Sequence, residues 1–299
     1  MDKFPVVSIV IPTRNRKEKL VRLIRCILES VYPKDRLEIV VVDDASQNGT
    51  YNEVSRKFPM VKVIRNSKRR FLSGSRNIGL ANSKGKYIFF IDDDNLIEKN
   101  TIINLVKFME RNYHIGIAVP LTFCYSIPNQ IWNNYISDPV PPLPLRRKIN
   151  HPPNTPVEIE MFDNAFLVRR SVFESCGSFD ERNFPIHLSE AEFFYRMKKQ
   201  GYTVALVPSG IVWHDVSTYV DRVRQMDKER AFYLLRNRII LARKRSLTFF
   251  LLFLMTFLPL LCLYHIYISI KVRSCNYLIA VFSGLLDGVK ILKELKCAG

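Results

Sequence analysis

The sequence predicts an α/β domain built on a mostly parallel sheet, followed by a C-terminal transmembrane helix. Three observations lead there. Short apolar runs alternate with amphipathic stretches along the first 120 residues, two of those runs end abruptly in adjacent carboxylates, and residues 247–270 carry no Asp, Glu, Lys or Arg. Residues 1–245 are enough for one α/β domain with a sizeable core.

Strand-like runs at 6–12, 37–42, 61–65, 86–91 and 115–119 alternate with helical spacing at 17–30, 51–58, 74–82 and 98–113, the pattern of βαβ units. No GxGxxG follows the first strand, which disfavours a dinucleotide-binding enzyme. Residues 125–156 are rich in proline and break any periodicity. They suit an irregular loop over an active-site face, or equally a plain surface loop, ahead of a strand at Ala165–Val168.

The chemistry concentrates at strand ends. KYIFFIDDDN, residues 86–95, stops at Asp92, Asp93 and Asp94. Three adjacent carboxylates repel one another unless a positive group neutralises them, and a hard divalent cation with bound phosphate would do so. Asp93, Asp94 and Asn95 can also be read as the start of a helix over Ile97–Tyr113. A second strand, LEIVVVDDAS at 37–46, ends in Asp43 and Asp44, and the first ends in IPTRNR. Ligands of open α/β sheets bind outside the carboxyl ends of the strands, where these groups would converge.

With these stretches the chain resembles the family 2 glycosyltransferases, which have the GT-A fold, a Rossmann-like nucleotide-diphospho-sugar transferase domain. The resemblance rests on VSIVIPTRN (7–15), VVDDAS (41–46), SGSRNIGLANSKGKYIFFIDDDN (73–95), NAFLVRRSVFESCGSFDE (164–181) and SEAEFFYRMKKQGY (189–202), in the family's order and spacing. It implies a nucleotide-binding half over 1–120 and an acceptor half over 121–245. Asp94 becomes the metal-binding carboxylate of a DxD motif, with Mg2+ or Mn2+ as cofactor, Asp92 beside it on ribose or metal, and Asp93 at the variable middle position. Asp44 with Pro12, Thr13 and Arg14 would hold the base, and Arg76 would meet the diphosphate.

The family's acidic motif, Glu-Asp-x-Asp before a hydrophobic run and Arg, falls on Ser189–Glu192 when its Arg is aligned with Arg196. Glu190 then takes the place of the general base that attack by an acceptor hydroxyl requires. Serine replaces the first acid and glutamate the aspartate, so Glu192 is an alternative base or a partner for Arg196. His214 falls where family members often carry a histidine near metal and phosphates, and is otherwise a packed side chain beside Trp213. FDER at 179–182 would shape the acceptor pocket, with Asp180 its polar candidate.

A helix over 247–270 is roughly 36 Å long at about 1.5 Å per residue, enough to cross a bilayer. We read 246–271 as a transmembrane helix, with Pro259 a candidate kink. Residues 272–299 form an interfacial or re-entrant segment, because Asp287 and flanking lysines leave too short an uncharged stretch for a second span. Arg243, Lys244 and Arg245 precede the helix, with Arg230, Arg236 and Arg238 upstream, whereas Lys271, Arg273 and Lys290 follow. The positive-inside rule then places the catalytic domain in the cytoplasm, on a single-pass or monotopic anchor.

The net charge is +17, mostly before residue 247. Such a surface attracts anions, and beside a membrane helix lipid head groups and phosphorylated substrates are the economical partners. Nucleic-acid motifs are not apparent. The six cysteines, at 26, 124, 176, 262, 275 and 297, show neither CxxC pairs nor metal-ligand spacing with histidine. The expected function is inverting transfer of a sugar from a nucleoside diphosphate sugar to a lipid-linked or cell-surface glycan acceptor. The alternatives are a non-catalytic nucleotide-sugar-binding membrane scaffold and a sugar-phosphate nucleotidyltransferase, whose glycine-rich N-terminal signature is missing.

Overall fold

A computed structural model describes residues 4–127, 129–132, 151–160, 162–215 and 226–297; most of the proline-rich stretch, 133–150, lies outside the described residues. The chain divides into two compact units. Described residues up to 132, then 151–179 and 193–215, form the first, and 180–192 with 226–297 form the second.

The first unit is a nine-stranded sheet with helices on both faces. Its strands are β1 (Val7–Thr13), β2 (Leu37–Asp43), β3 (Lys62–Arg65), β4 (Tyr87–Ile91), β5 (Asn95–Ile97), β6 (Ile115–Cys124), β7 (Val157–Ile159), β8 (Ala165–Arg169) and β9 (Thr203–His214). Its helices are α1 (Lys17–Leu28), α2 (Thr50–Lys57), α3 (Phe71–Ala81), α4 (Thr101–Arg111), α5 (Arg170–Cys176) and α6 (Ser189–Lys199), whose first turn belongs to the second unit.

Strand order is β3-β2-β1-β4-β8-β6-β9-β5, with β7 also on β9. The quartet β3-β2-β1-β4 is parallel, as the alternating pattern predicts. The other half is mixed: β8 lies antiparallel between β4 and β6, while β6 and β9 run parallel. Strands covered on both faces read as continuous apolar runs because alternate residues serve opposite cores. Val7, Ile9 and Ile11 of β1 pack with Leu20, Ile24 and Ile27 of α1, whereas Val10 joins Phe90, Phe166 and Met197 on the other side.

One expectation changes directly after the aspartates. Asn95–Ile97 form β5, antiparallel to β9 with Asn95 opposite His214, and α4 begins only at Thr101 with Asn100 as N-cap. Asp93 and Asp94 therefore start no helix, which removes the capping explanation of their charges.

The second unit contains the turn 180–192 and three helices, α7 (Lys228–Arg245), α8 (Leu247–Val272) and α9 (Cys275–Cys297). Asp227 caps α7 by accepting from Arg230 N at 2.7 Å. In α8 the turn Phe253–Phe257 widens to a π-helix just before Pro259, which lacks an N–H and whose ring crowds the carbonyl four residues back. Arg273, in the left-handed region at φ 54°, ends α8 and turns the chain into α9. By length and composition both Leu247–Val272 and Cys275–Leu292 could cross a membrane. The second goes beyond the sequence expectation. Asp287, the charge that argued against it, is answered within the unit by Arg236 of α7.

Helices α7 and α9 pack at close range through Gly284 and Gly288. A Cβ on Gly284 would overlap the Phe232 carbonyl, and one on Gly288 would press on Ile239 and the Arg236 backbone. Small residues four apart permit this approach in helix pairs, in lipid as in water.

Candidate active site

The parallel quartet aligns its carboxyl ends. β1 pairs Thr13 with Asp43 and runs in register with β4, and Asp44 N donates to Thr13 O at 2.8 Å. Thr13 Oγ1 donates to Asp93 Oδ2 at 2.7 Å, so the first strand end meets the aspartate triplet directly.

Each aspartate has a different environment. Asp92, half-buried, lies 3.2 Å from Nη2 of Arg76, a fully buried arginine whose guanidinium packs over the rings of Phe166 and Phe179. Asp93 is buried and takes Thr13 on one oxygen and Arg16 Nη1 at 3.0 Å on the other. Burial raises its carboxyl above the usual range, opposed by Arg16 and reinforced by Asp94. Asp94 receives Arg16 Nη1 on Oδ2 at 2.8 Å, and its Oδ1 lies 3.2 Å from His214 Nε2. Burial works against its charge too, but His214, then Arg16 and Lys19, hold this carboxyl below the usual range.

The neighbouring backbone is fixed by residues that the sequence reading did not single out. Asp92 N donates to Asn164 O at 2.9 Å, and the side chain of Asn164 donates to that of Asn95. Asp215 N donates to Asp94 O at 2.8 Å, while the Asp215 carboxylate takes Lys19 and Arg22, both at 3.3 Å. Arg16 lies in NRKEK, a stretch with the look of a solvated helix start. Its signal was arithmetic: three aspartates need more positive charge than one arginine supplies.

At the second strand end, Asp44 is buried and organises the entry to α3. It accepts from Asn66 Nδ2 at 2.9 Å, Arg70 N at 2.7 Å and Phe71 N at 2.9 Å. Pro12 is buried within β1, and Arg14 beside it is half-buried with its Nε unpartnered among the described residues.

The second unit carries the acidic turn. Glu190, half-buried, accepts from Ser189 Oγ at 2.9 Å. Glu192 is buried and, with Asp180, receives Lys244 of α7, at 3.0 and 2.8 Å. Burial disfavours the Asp180 charge, but Lys244 and Asn183 outweigh it and lower this carboxyl. Asn237 donates to Ile186 O at 2.6 Å and His187 O at 2.9 Å, and Arg236 donates to Asn183 O at 2.6 Å. His187 and Leu188 have φ of 60° and 61°, consecutive left-handed residues that persist because these bonds over-determine the turn.

The first unit suits a hard cation in one place. Asp94 Oδ1 is buried without a well-formed hydrogen bond, and cis ligand atoms around Mg2+ or Mn2+ lie about 3 Å apart, close to its separation from His214 Nε2. Among the described residues no group of three or more Asp, Glu, His or Cys is placed so as to hold a metal ion. Such an ion would rest on two protein groups and take its remaining oxygens from phosphate and water, as Mg2+ commonly does.

A parallel quartet extended by mixed strands, with carboxylates at the β4 end, defines a nucleotide-diphospho-sugar transferase fold of the GT-A type. Residues 8–177 match the model of glycosyl transferase family 2, and the chain belongs to that family. It is 26% identical over 227 residues to the probable glycosyltransferase YdaM of Bacillus subtilis, covering 71% of this chain and 51% of that protein. It is 30% identical over 135 residues to WfaP of Escherichia coli, a UDP-Glc:α-D-GlcNAc-diphosphoundecaprenol β-1,3-glucosyltransferase, covering 42% and 53%. The chain thus spans about half the length of these curated relatives. In structure it resembles the mannosyltransferase PcManGT from Pyrobaculum calidifontis in complex with GDP-Man and Mn2+, with TM-score 0.60, 18% identity, and coverage of 99% of this chain and 81% of that one. Residues 1–349 of S. aureus TarS give TM-score 0.58 at 16% identity, covering 79% and 64%.

Proposed function

We propose that the protein is a membrane-anchored, metal-dependent inverting glycosyltransferase. It moves a sugar from a nucleoside diphosphate sugar to a hydroxyl or phosphate acceptor on a lipid-linked or cell-surface glycan. The observation that carries this reading is the Asp94–His214 pair at the end of β4, in which a buried carboxylate oxygen without a well-formed hydrogen bond lies 3.2 Å from the imidazole nitrogen.

In this reading Asp94 and His214 would hold Mg2+ or Mn2+, which would supply positive charge to the leaving diphosphate. Asp92 contacts ribose or metal. Arg76, buried 3.2 Å from Asp92 Oδ1, orients that carboxylate and places positive charge beside the diphosphate site. Asp44, with Pro12, Thr13 and Arg14, frames the base; after three accepted hydrogen bonds its carboxylate still has an acceptor site. Glu190 takes the acceptor's proton as the acceptor oxygen bonds to the anomeric carbon and the bond from that carbon to the diphosphate breaks with its electron pair. Its role comes from its place in the family's acidic motif. Asp180 and Glu192, charge-paired to Lys244, shape the acceptor side.

The remaining assignments rest on charge and hydropathy. Residues 1–245 act as the catalytic part, and 246–271 anchor it with the catalytic part cytoplasmic. A lipid-linked acceptor is supported by the exposed apolar helix α8 and by the activity of WfaP.

Transfer from donor to lipid-linked and to water-soluble acceptors, assayed with the full chain, tests the reading. Asp94→Asn is expected to lose both donor binding and transfer. Glu190→Gln is expected to keep donor binding and lose transfer by on the order of 10³-fold. Glu190→Gln transferring at the wild-type rate would remove the base assignment. Equal rates on soluble and lipid-linked acceptors would remove the lipid assignment.

A further inference from the structure

The three aspartates have two arginines, and these are held very differently. Arg76 has a side chain 1% exposed, fixed between two phenyl rings, and belongs permanently to Asp92. Arg16 has a side chain 44% exposed, yet its Nη1 bridges carboxylates that are only 5% and 10% exposed. It stands just ahead of α1, and its side chain approaches the buried acids from solvent. Of the two, Arg16 is the cation that can leave.

Asp93 does not need Arg16 to stay in place, because Thr13 Oγ1 holds its other oxygen at 2.7 Å. Asp94 is two-sided. Oδ2 is taken by Arg16, and Oδ1 faces His214 Nε2 without a well-formed hydrogen bond. A divalent cation beside Oδ1 would share one carboxylate with the guanidinium, and two cations that close repel in a partly desolvated site. The donor's diphosphate removes the conflict, because it offers a guanidinium two well-spaced oxygens and a higher charge than one carboxylate.

We propose that Arg16 is the resident counter-cation of the aspartate triplet, competing with the divalent cation for Asp93 and Asp94 and transferring its guanidinium to the donor's diphosphate when cation and nucleotide bind together. The inference rests on the metal reading of the same site. Its consequence is synergy: the cation alone binds weakly, the nucleotide alone binds weakly, and each strengthens the other by drawing Arg16 off the aspartates. Arg16 then contacts the leaving group, which makes it a catalytic residue.

Mn2+ binding to the full-length protein, followed by the electron paramagnetic resonance signal of free Mn2+, tests this with wild type, Arg16→Gln and Arg16→Lys, each alone and with UDP or GDP. Arg16→Gln is expected to bind Mn2+ alone on the order of tenfold more tightly than wild type, since a competing positive charge is gone. It is also expected to lose most of the gain that the nucleoside diphosphate confers in wild type. Arg16→Lys should keep part of both effects, as a point charge without the fork. A residue that merely props up the cluster predicts the opposite sign, with weaker Mn2+ binding on removal. Unchanged or weaker binding by Arg16→Gln, in protein that still unfolds cooperatively, overturns the inference while leaving the metal site standing. If wild type binds no Mn2+ with either nucleotide, the metal reading fails and takes this inference with it.

Discussion

The two units hold their carboxylates in opposite ways. At the end of β4, Asp93 and Asp94 are held by side chains, one of which, Arg16, is reachable from water. In the turn 180–192 the backbone itself is held: Arg236 and Asn237 of α7 bind the carbonyls of Asn183, Ile186 and His187, and Asp287 of α9 balances the Arg236 charge. The first arrangement can exchange partners, as the proposed binding of a cation and a diphosphate would demand. The second fixes a strained turn in one geometry, as placing the proposed catalytic carboxylate would demand. Changes in the second unit should therefore lower stability, whereas changes at the β4 end should alter binding.

The largest loss of stability is expected where α7 and α9 touch. Gly284→Ala sets a methyl group against the Phe232 carbonyl, and because backbone cannot rotate away it should cost about 3 kcal/mol. Thermal unfolding in mild detergent measures this. Gly49→Ala is the control: Gly49 has φ 78° with nothing within 4 Å, so its cost, about 1 kcal/mol, is backbone strain alone. Equal losses would mean that α7 and α9 do not need close contact.

Arg236→Met comes next. It strands the Asn183 carbonyl and leaves Asp287 unpaired, but Asp287 is 41% exposed and water compensates it, so about 2 kcal/mol is expected. Asp287→Asn, which keeps a hydrogen-bonding oxygen, should cost less than about 1 kcal/mol. Unfolding midpoints of the two variants rank them, and a larger loss for Asp287→Asn would contradict the backbone-clamp account.

The turn also carries a pH dependence. His187 is half-buried, and desolvation, with the charges of Arg230 and Arg238 adding, pushes its imidazole down to about 4. The unfolded chain, with its histidine at about 6.5, binds the proton first as pH falls. Stability from neutral His187 is thus complete above about 6.5 and is lost as pH falls towards 4, reaching about 2 kcal/mol by pH 5. Thermal midpoints between pH 7 and 5 should fall in wild type and fall less in His187→Asn. Parallel slopes would show that His187 is not held neutral in the folded protein.

Much of the first unit was legible in the residues. The parallel quartet and the carboxylates at its ends follow from apolar runs and charge repulsion in the chain itself, and α1, α2 and α4 came within a few residues of their bounds. The antiparallel β8 was not legible as a neighbour of β4, because pairing across 74 residues between Ile91 and Ala165 leaves no local mark. β5 was hidden for the same reason: NLI is too short to show a period and is defined by β9. The Arg236–Asn237 clamp was hidden because both are polar residues on a helix, and only the fold reveals that they face carbonyls. Where the aspartates lie was readable; which cation holds each required the structure.

Calorimetric titration of nucleoside diphosphate sugars, with and without Mn2+, into wild type and Asp94→Asn tests the central claim most directly. The account predicts that one donor binds wild type in a Mn2+-dependent manner and that Asp94→Asn, still folded, loses that dependence. Donor binding of equal strength with and without Mn2+ in both proteins would contradict the assignment of the β4 end as a metal–diphosphate site.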